Sequence, residues 1–380
     1  MQKSVAAPSW QQRLRGEMPL AFGILTLVVF LLYGSAWLAE SQNVAVRVVL
    51  FVWLLAAIGV CIFGVVHHAG HLAELLGEPL GTLILTISVI LIEVALIVAV
   101  MLQGSAHPTL ARDTMFAVIM LMMNGMVGLG LLAGGIRHVQ QEYNLEGARA
   151  YLAVLIPLSV VALVLPNQTV STEAGTMNFG QAIFFSIGTI LLYAIFLGLQ
   201  TMRHRGFFVA PGEKEEMVAE ESLTDGSARR RSIAFHGVLL FVTMLPIVGL
   251  AEYLAVMIER GIHTLGVPSA LGGLLIAALI LAPESISAFD AAVSNKLQRS
   301  INLCLGSALS TVALTVPAVL LVGVASGQEV SLGLTDDSTI LLMLTLLVSM
   351  LTFGGARTNV LYGAVHLLLF LTYIVLIFNP

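Results

Sequence analysis

Glu93 lies in the middle of the apolar run Gly81–Leu102, and Glu284 lies in a second such run, Pro268–Val293. An ionised carboxylate at bilayer depth costs roughly 2.5–3.5 kcal/mol on insertion scales. An acid kept at that depth is kept for a task, and the task that suits it is to take up and release cations or protons. Two such acids, in matching places of the two halves of one chain, describe a cation pathway.

The polar residues around them sharpen this reading. Thr82, Thr86 and Glu93 share one helical face, because residues four and seven apart lie nearly one above the other. Ser307, Thr311 and Thr315 form a similar stripe, and Asn124-Gly125 interrupts another apolar run. Pro283 directly precedes Glu284. A proline inside a helix frees the carbonyl four residues back, here that of Leu279, and kinks the rod. A freed carbonyl beside a carboxylate is a hard-cation ligand, and calcium takes about six to eight oxygens at about 2.3–2.6 Å. Two carboxylates, Asn or Thr oxygens, one or two carbonyls and water make up such a set. Serine and threonine in membrane helices also serve as plain packing residues that bond their own backbone or a neighbouring helix. Both readings stay open for the stripes. Glu252 and Asp290 lie near the ends of their runs and read as boundary residues.

The elements that must position these residues are membrane helices. The chain has 380 residues, of which 58% are hydrophobic and 10% charged, with a mean hydropathy of +0.97. Soluble domains carry about 25% charged residues, so this composition excludes a soluble role. Apolar runs near twenty residues fit helices that cross hydrocarbon, and the alternating ten-residue segments of a membrane β-barrel are not seen. The fold expected is all-α and polytopic, with about 11 spans near 19–39, 46–66, 81–102, 113–134, 149–166, 179–200, 232–255, 268–292, 300–323, 338–353 and 358–378. Cys61 and Cys304 both fall inside these runs, which argues against a disulfide framework. Met1–Glu17 lacks the pattern of a removable signal peptide.

Basic residues choose the orientation. With the N-terminus cytoplasmic and the C-terminus outside, fourteen of the 17 Lys and Arg residues fall inside, and only Arg47, Arg112 and Arg260 fall outside. The one hydrophilic stretch of note, residues 203–231, holds Gly212-Glu-Lys-Glu-Glu216 and Glu220-Glu-Ser-Leu-Thr-Asp225. It reads as an acidic cytoplasmic loop that solvates a linker.

Superposing the two acids aligns the halves. Gly81 and Gly272 each sit twelve residues before their glutamate, and Asn124 and Thr311 each follow an arginine, Arg112 or Arg299, by twelve. Asn144-Leu-Glu-Gly-Ala148 echoes Asn359-Val-Leu-Tyr-Gly-Ala364 with one residue inserted. The organisation expected is a tail and extra first span (1–45), a five-helix repeat with Glu93 (46–202), the acidic loop (203–231), and a second five-helix repeat with Glu284 (232–380). An odd number of spans per repeat leaves the copies inverted, with a site at the midplane where they meet.

Several stretches resemble the bacterial ChaA-type antiporters in the CAX group of the cation/calcium exchanger superfamily. They are Gly77-Glu-Pro-Leu-Gly-Thr-Leu-Ile-Leu-Thr-Ile-Ser-Val-Ile-Leu-Ile-Glu93, Leu281-Ala-Pro-Glu284, Gln298-Arg299, Asn302-Leu303, Gly306-Ser307, Leu314-Thr-Val-Pro317 and Arg357-Thr-Asn-Val-Leu-Tyr-Gly-Ala364. The resemblance covers nearly all of Leu50–Pro380. It implies calcium/proton exchange, leaves sodium and potassium open as further substrates, and makes Glu93 and Glu284 the paired exchange acids. It also implies that Asn124 and Ser307 lie beside the site. The chain departs from the CAX group in lacking a Gly-Asn pair shortly before each glutamate, where it has Val89-Ile90 and Ile280-Leu281. Pro283 then supplies the helix break in one repeat.

The function expected is secondary antiport across an inner membrane, with Glu93 and Glu284 binding either cation or protons. The residues nearest the site are Thr86, Asn124, Pro283, Ser307 and Thr311. No cofactor is expected beyond the transported ions. The bilayer is the expected partner, self-association is compatible with the sequence, and nothing points to nucleic acid. A cation channel is the competing reading, although channels build a continuous pore and often a ring of subunits. An intramembrane enzyme fits poorly, because no Ser/Lys or Ser/His pair, metalloprotease motif or phosphate-cradling glycine loop stands out. His67, His68 and His71 lack the His-Glu-x-x-His order of a zinc protease and read as interfacial residues or a pH sensor.

Overall fold

The computed structural model describes residues 17–38, 43–76, 80–102, 108–210, 226–268, 270–355 and 357–379. The acidic stretch 212–225 lies outside these, as do the side chains of Thr82 and Thr86. Nearly everything described is helical, as the hydropathy requires. The helices are α1 (Met18–Trp37), α2 (Val44–Leu76), α3 (Leu80–Leu102), α4 (Leu110–His138), α5 (Leu145–Leu163), α6 (Phe179–Gly198), α7 (Gly226–Leu265), α8 (Ala270–Val293), α9 (Leu297–Ser326), α10 (Asp336–Thr352) and α11 (Val360–Phe378). Two short strands, β1 (Gln141–Glu142) and β2 (Arg357–Thr358), pair antiparallel.

Among the described residues nine helices are long and apolar enough to cross a bilayer. The protein is thus a multi-pass membrane protein. The two expected spans outside that set fall on α3, whose apolar described part is Ile87–Val98, and on α10, which has 17 residues. Helix α7 starts at Gly226, so Arg229, Arg230 and Arg231 lie on its first turns rather than in a linker.

The helices group into two compact units. One holds α1, α2, the start of α3 to Ser88, and α7 as far as Ile258. Its core is aromatic: buried Phe30 meets Trp37 and Trp53 edge-on and Tyr253 at a tilt. Away from that core, the expected histidine group gains a member from α7. His68 Nδ1 lies 3.2 Å from His236 Nδ1, His71 stacks on His236, and Glu17 Oε2 is 3.7 Å from His68 Nε2. Among the described residues no three His, Cys, Asp or Glu side chains are arranged to hold a metal ion.

The other unit contains α3 from Val89, α4 to α6, and α8 to α11. Helix α9 runs through it, with α8 on one side and α5 and α6 on others. Most of α4 is buried as well. Helices α4 and α11 touch backbone to backbone. A β-carbon added at Gly128 would stand 2.9 Å from Leu367 N, one at Gly135 3.0 Å from Val360 N, and one at Gly363 2.5 Å from Leu132 N. Water does not drive helices together in lipid, so close approach of small residues is what makes such a contact.

Helix ends are set locally. The Asn144 side chain accepts from the Glu146 amide and opens α5, and that of Asn359 accepts from the Leu361 amide and opens α11. Both follow a strand of the β1–β2 pair. Their echo in the sequence is therefore one of capping chemistry, because one opens the fifth helix and the other the last. Tyr143 donates its hydroxyl to the Gly355 carbonyl, and burial pushes this phenol up to about 12, so it stays a donor through the neutral range.

Candidate ion-exchange site

Both glutamates are buried in the second unit, each with 1% of its surface exposed. Glu93 comes from α3, Glu284 from α8, and α9 supplies the hydroxyls that hold them. Thr311 Oγ1 donates to Glu93 Oε2 at 2.7 Å, and Thr315 Oγ1 donates to Glu93 Oε1 at 3.3 Å. Ser307 Oγ donates to Glu284 Oε2. Glu284 Oε1 is buried with no hydrogen-bond partner among the described residues. The three donors are spaced by four residues, so they lie on one face of α9 about 6 Å apart along its axis.

None of the ion pairs among the described residues involves either glutamate. That absence of a basic partner matters, because a buried carboxylate held for structure is normally paired with a cation. Here each is held by neutral hydroxyls, which can equally ligate a hard cation once their protons turn away. Glu93 has both oxygens engaged. Glu284 keeps one oxygen open as a ligand position.

The other expected residues divide. Ser307 and Thr311 touch the acids, and Thr315, from the same stripe, joins them. Thr86 lies outside the described side chains. Pro283 is buried inside α8, which continues as one helix on either side of it. Asn124 makes its hydrogen bonds to residues other than the two carboxylates. Its amide donates to Thr345 Oγ1 at 2.7 Å and its carbonyl oxygen meets His366 Nδ1 at 2.9 Å. It sits in a π-helical segment, Met120–Met126, so the break expected at Asn124-Gly125 is a widened turn. His366 Nε2 reaches Thr352 Oγ1 at 3.0 Å. Thr345, Thr352 and His366 are absent from the sequence reading. For His366 the signal was present: an ionisable residue inside the last apolar run calls for the same question as Glu93.

Two expectations follow from this geometry. Thr311→Val removes the shorter donor to Glu93 and should raise the half-saturating cation concentration by about tenfold, as expected when a buried charged acceptor loses a bond. Thr315→Val, which removes the longer one, should do less; transport titrations of both variants check the order. Pro283→Ala restores a helical donor to the Leu279 carbonyl and should impair transport more than Ser285→Ala, whose hydroxyl is 3.8 Å from Met122 Sδ. Equal rates for that second pair would assign the proline to packing.

A multi-pass helical protein with two buried acids, neither ion-paired among the described residues, has the outline of an ion transporter. The sodium/calcium exchanger protein family matches residues 46–202 and 235–379, and the chain belongs to that family. It is 38% identical to the sodium-potassium/proton antiporter ChaA of Escherichia coli (strain K12) over 95% of this chain and 96% of that one. It is 24% identical to a Ca2+/H+ antiporter of Aphanothece halophytica over 74% of this chain and 76% of that one. Among solved structures, that of the H+/Ca2+ exchanger CAX shares the fold, with a TM-score of 0.68 at 14% identity over 96% of this chain and 89% of that one. The family is one of exchangers, not enzymes.

Proposed function

We propose that the protein is a cation/proton antiporter that exports a hard cation, calcium or else sodium or potassium, against proton entry. The observation that carries this reading is the pair of buried carboxylates, each held by hydroxyls of α9 and neither in an ion pair among the described residues. Glu93 and Glu284 are the exchange acids, and Ser307, Thr311 and Thr315 are their donors and alternate ligands. Two adjacent carboxylates in a medium of low dielectric resist being empty and doubly charged together. They cross loaded with cation or loaded with protons, and that condition couples the two flows. The named relatives support both cargo types: one is a sodium-potassium/proton antiporter and the other a Ca2+/H+ antiporter.

The architecture that serves this function is one leading helix followed by two inverted repeats of five, α2–α6 and α7–α11, for 11 spans in all. Each repeat carries its acid on its second helix, α3 or α8, and its third helix is α4 or α9. The excess of Lys and Arg on one set of loops supports a cytoplasmic N-terminus and a C-terminus outside a bacterial inner membrane.

The test is transport in everted vesicles. A proton gradient is imposed and calcium, sodium or potassium is added in turn. Collapse of the gradient on cation addition supports exchange, and the order of the half-saturating concentrations ranks the cargo. Cation flux without proton counterflow would instead make the protein a channel.

A further inference from the structure

The π-helical turn of α4 has a cause that lies outside the carboxylate site. A π turn carries one residue more per turn than the α-helix around it and is rare unless something holds it. Here two sets of contacts grip Met120–Met126. On one face, Asn124 reaches Thr345 of α10 and His366 of α11. Facing α8, Met122 Sδ lies 3.8 Å from Ser285 Oγ, the residue after Glu284.

The bonds of this network run in one direction. Asn124 Nδ2 donates to Thr345 Oγ1, whose own hydroxyl donates to the Leu341 carbonyl at 2.8 Å. Asn124 Oδ1 then faces the ring and can only accept, so the proton sits on His366 Nδ1. Nε2 is left as an acceptor for the Thr352 hydroxyl. All four side chains are buried, with His366 and Asn124 at 0% exposure. A fully satisfied buried polar network fixes one arrangement, and a half-satisfied one is costly.

We propose that His366 is a positioning residue of the exchange site. It holds the wide turn of α4 in register through Asn124, and that turn in turn seats the segment of α8 that carries Glu284. Without the imidazole, Asn124 keeps a buried oxygen with no donor. The π turn can then relax toward α-helical geometry, which rotates Met122 and releases Ser285. The effect is read as a loss of cation affinity at the site that Glu284 forms. This inference rests on the proposed exchange function for its transport readout, while its structural readout is independent of that function.

The experiment compares His366→Gln and His366→Leu in proteoliposomes and by hydrogen exchange of the purified protein. A glutamine amide offers one donor and one acceptor at nearly the spacing of the two ring nitrogens, yet cannot take a further proton. His366→Gln should keep its half-saturating calcium concentration within about threefold of the parent, and His366→Leu should raise it by about tenfold, as for an unsatisfied buried polar group. The amides of Met120–Met126 should exchange faster in His366→Leu and not in His366→Gln. If His366→Leu does not insert, Asn124→Leu breaks the same contact from the other side and is judged by the same outcomes. Parental affinity and parental amide protection in the leucine variant would overturn the proposal. So would a glutamine variant as impaired as leucine with a displaced pH profile, since that result makes His366 a proton carrier. No calcium, sodium or potassium transport by the parent would overturn the exchange function alone, because the change in amide exchange would still read the role of His366.

Discussion

Glu284→Gln should abolish exchange, and Glu93→Gln should do the same, each lowering coupled transport by at least about a hundredfold while the protein still inserts. Glutamine keeps the size of the side chain and one acceptor oxygen, so Ser307, Thr311 and Thr315 retain a partner. What it lacks is the charge that pairs with a cation and the ability to trade that cation for a proton. Glu284 should be the more sensitive to this change, because its Oε1 has no hydrogen-bond partner among the described residues. Gradient-driven cation uptake into proteoliposomes, normalised to inserted protein, measures the effect. Parental proton-coupled transport by either variant would remove the two glutamates from the mechanism.

The second large effect is that of pH on cation affinity. Protons and cation compete for the same carboxylates, so a cation binds only after protons leave. The sign follows directly: acidifying the face at which the cation binds fills the carboxylates with protons and raises the half-saturating concentration. The slope is about tenfold per pH unit for each proton displaced, and it levels off once the acids are ionised. Titrations between about pH 6 and 9, repeated with each cation, give the number of protons directly from that slope. A half-saturating concentration that stays constant over the range would point to a site without exchangeable carboxylates.

Much of the scaffold was legible because lipid permits few alternatives. A spanning segment must satisfy its own backbone, so long apolar runs become helices, and each expected run falls on one here. The two acids were legible for the same reason: charge inside an apolar run stands out. What could not be read is which way each helix faces. A helix apolar on all sides carries no periodic signal to set its rotation, so the bonds of Asn124 to Thr345 of α10 and His366 of α11 were not legible. The stripe Ser307–Thr311–Thr315 was legible as a face because its polar residues break that uniformity, yet its division between two acids depends on tertiary packing. The widened turn at Met120–Met126 was legible only as an interruption at Asn124-Gly125, because the side chains that Asn124 bonds, Thr345 and His366, lie more than two hundred residues downstream.

The seam between α4 and α11 has a genetic consequence. Any missense codon at Gly363 adds at least a β-carbon, and even alanine's would fall 2.5 Å from Leu132 N and 2.8 Å from Gly128 O. The obstacle is main chain, which cannot swing aside as a side-chain tip does. Gly128 and Gly135 meet the same kind of wall at Leu367 N and Val360 N. At Gly363 a compensating second change cannot easily restore the fit, because the nearest atoms are all main chain; at Gly128 and Gly135 the side chains of Leu367 and Val360 crowd the same space, yet shortening them leaves the main-chain nitrogen in place. Drift along this chain is thus blocked at these three sites by geometry alone, without any of them touching an ion. In a library of random variants selected for transport, they should stay invariant for the same reason that the carboxylates do, and invariance by itself would not tell the two groups apart.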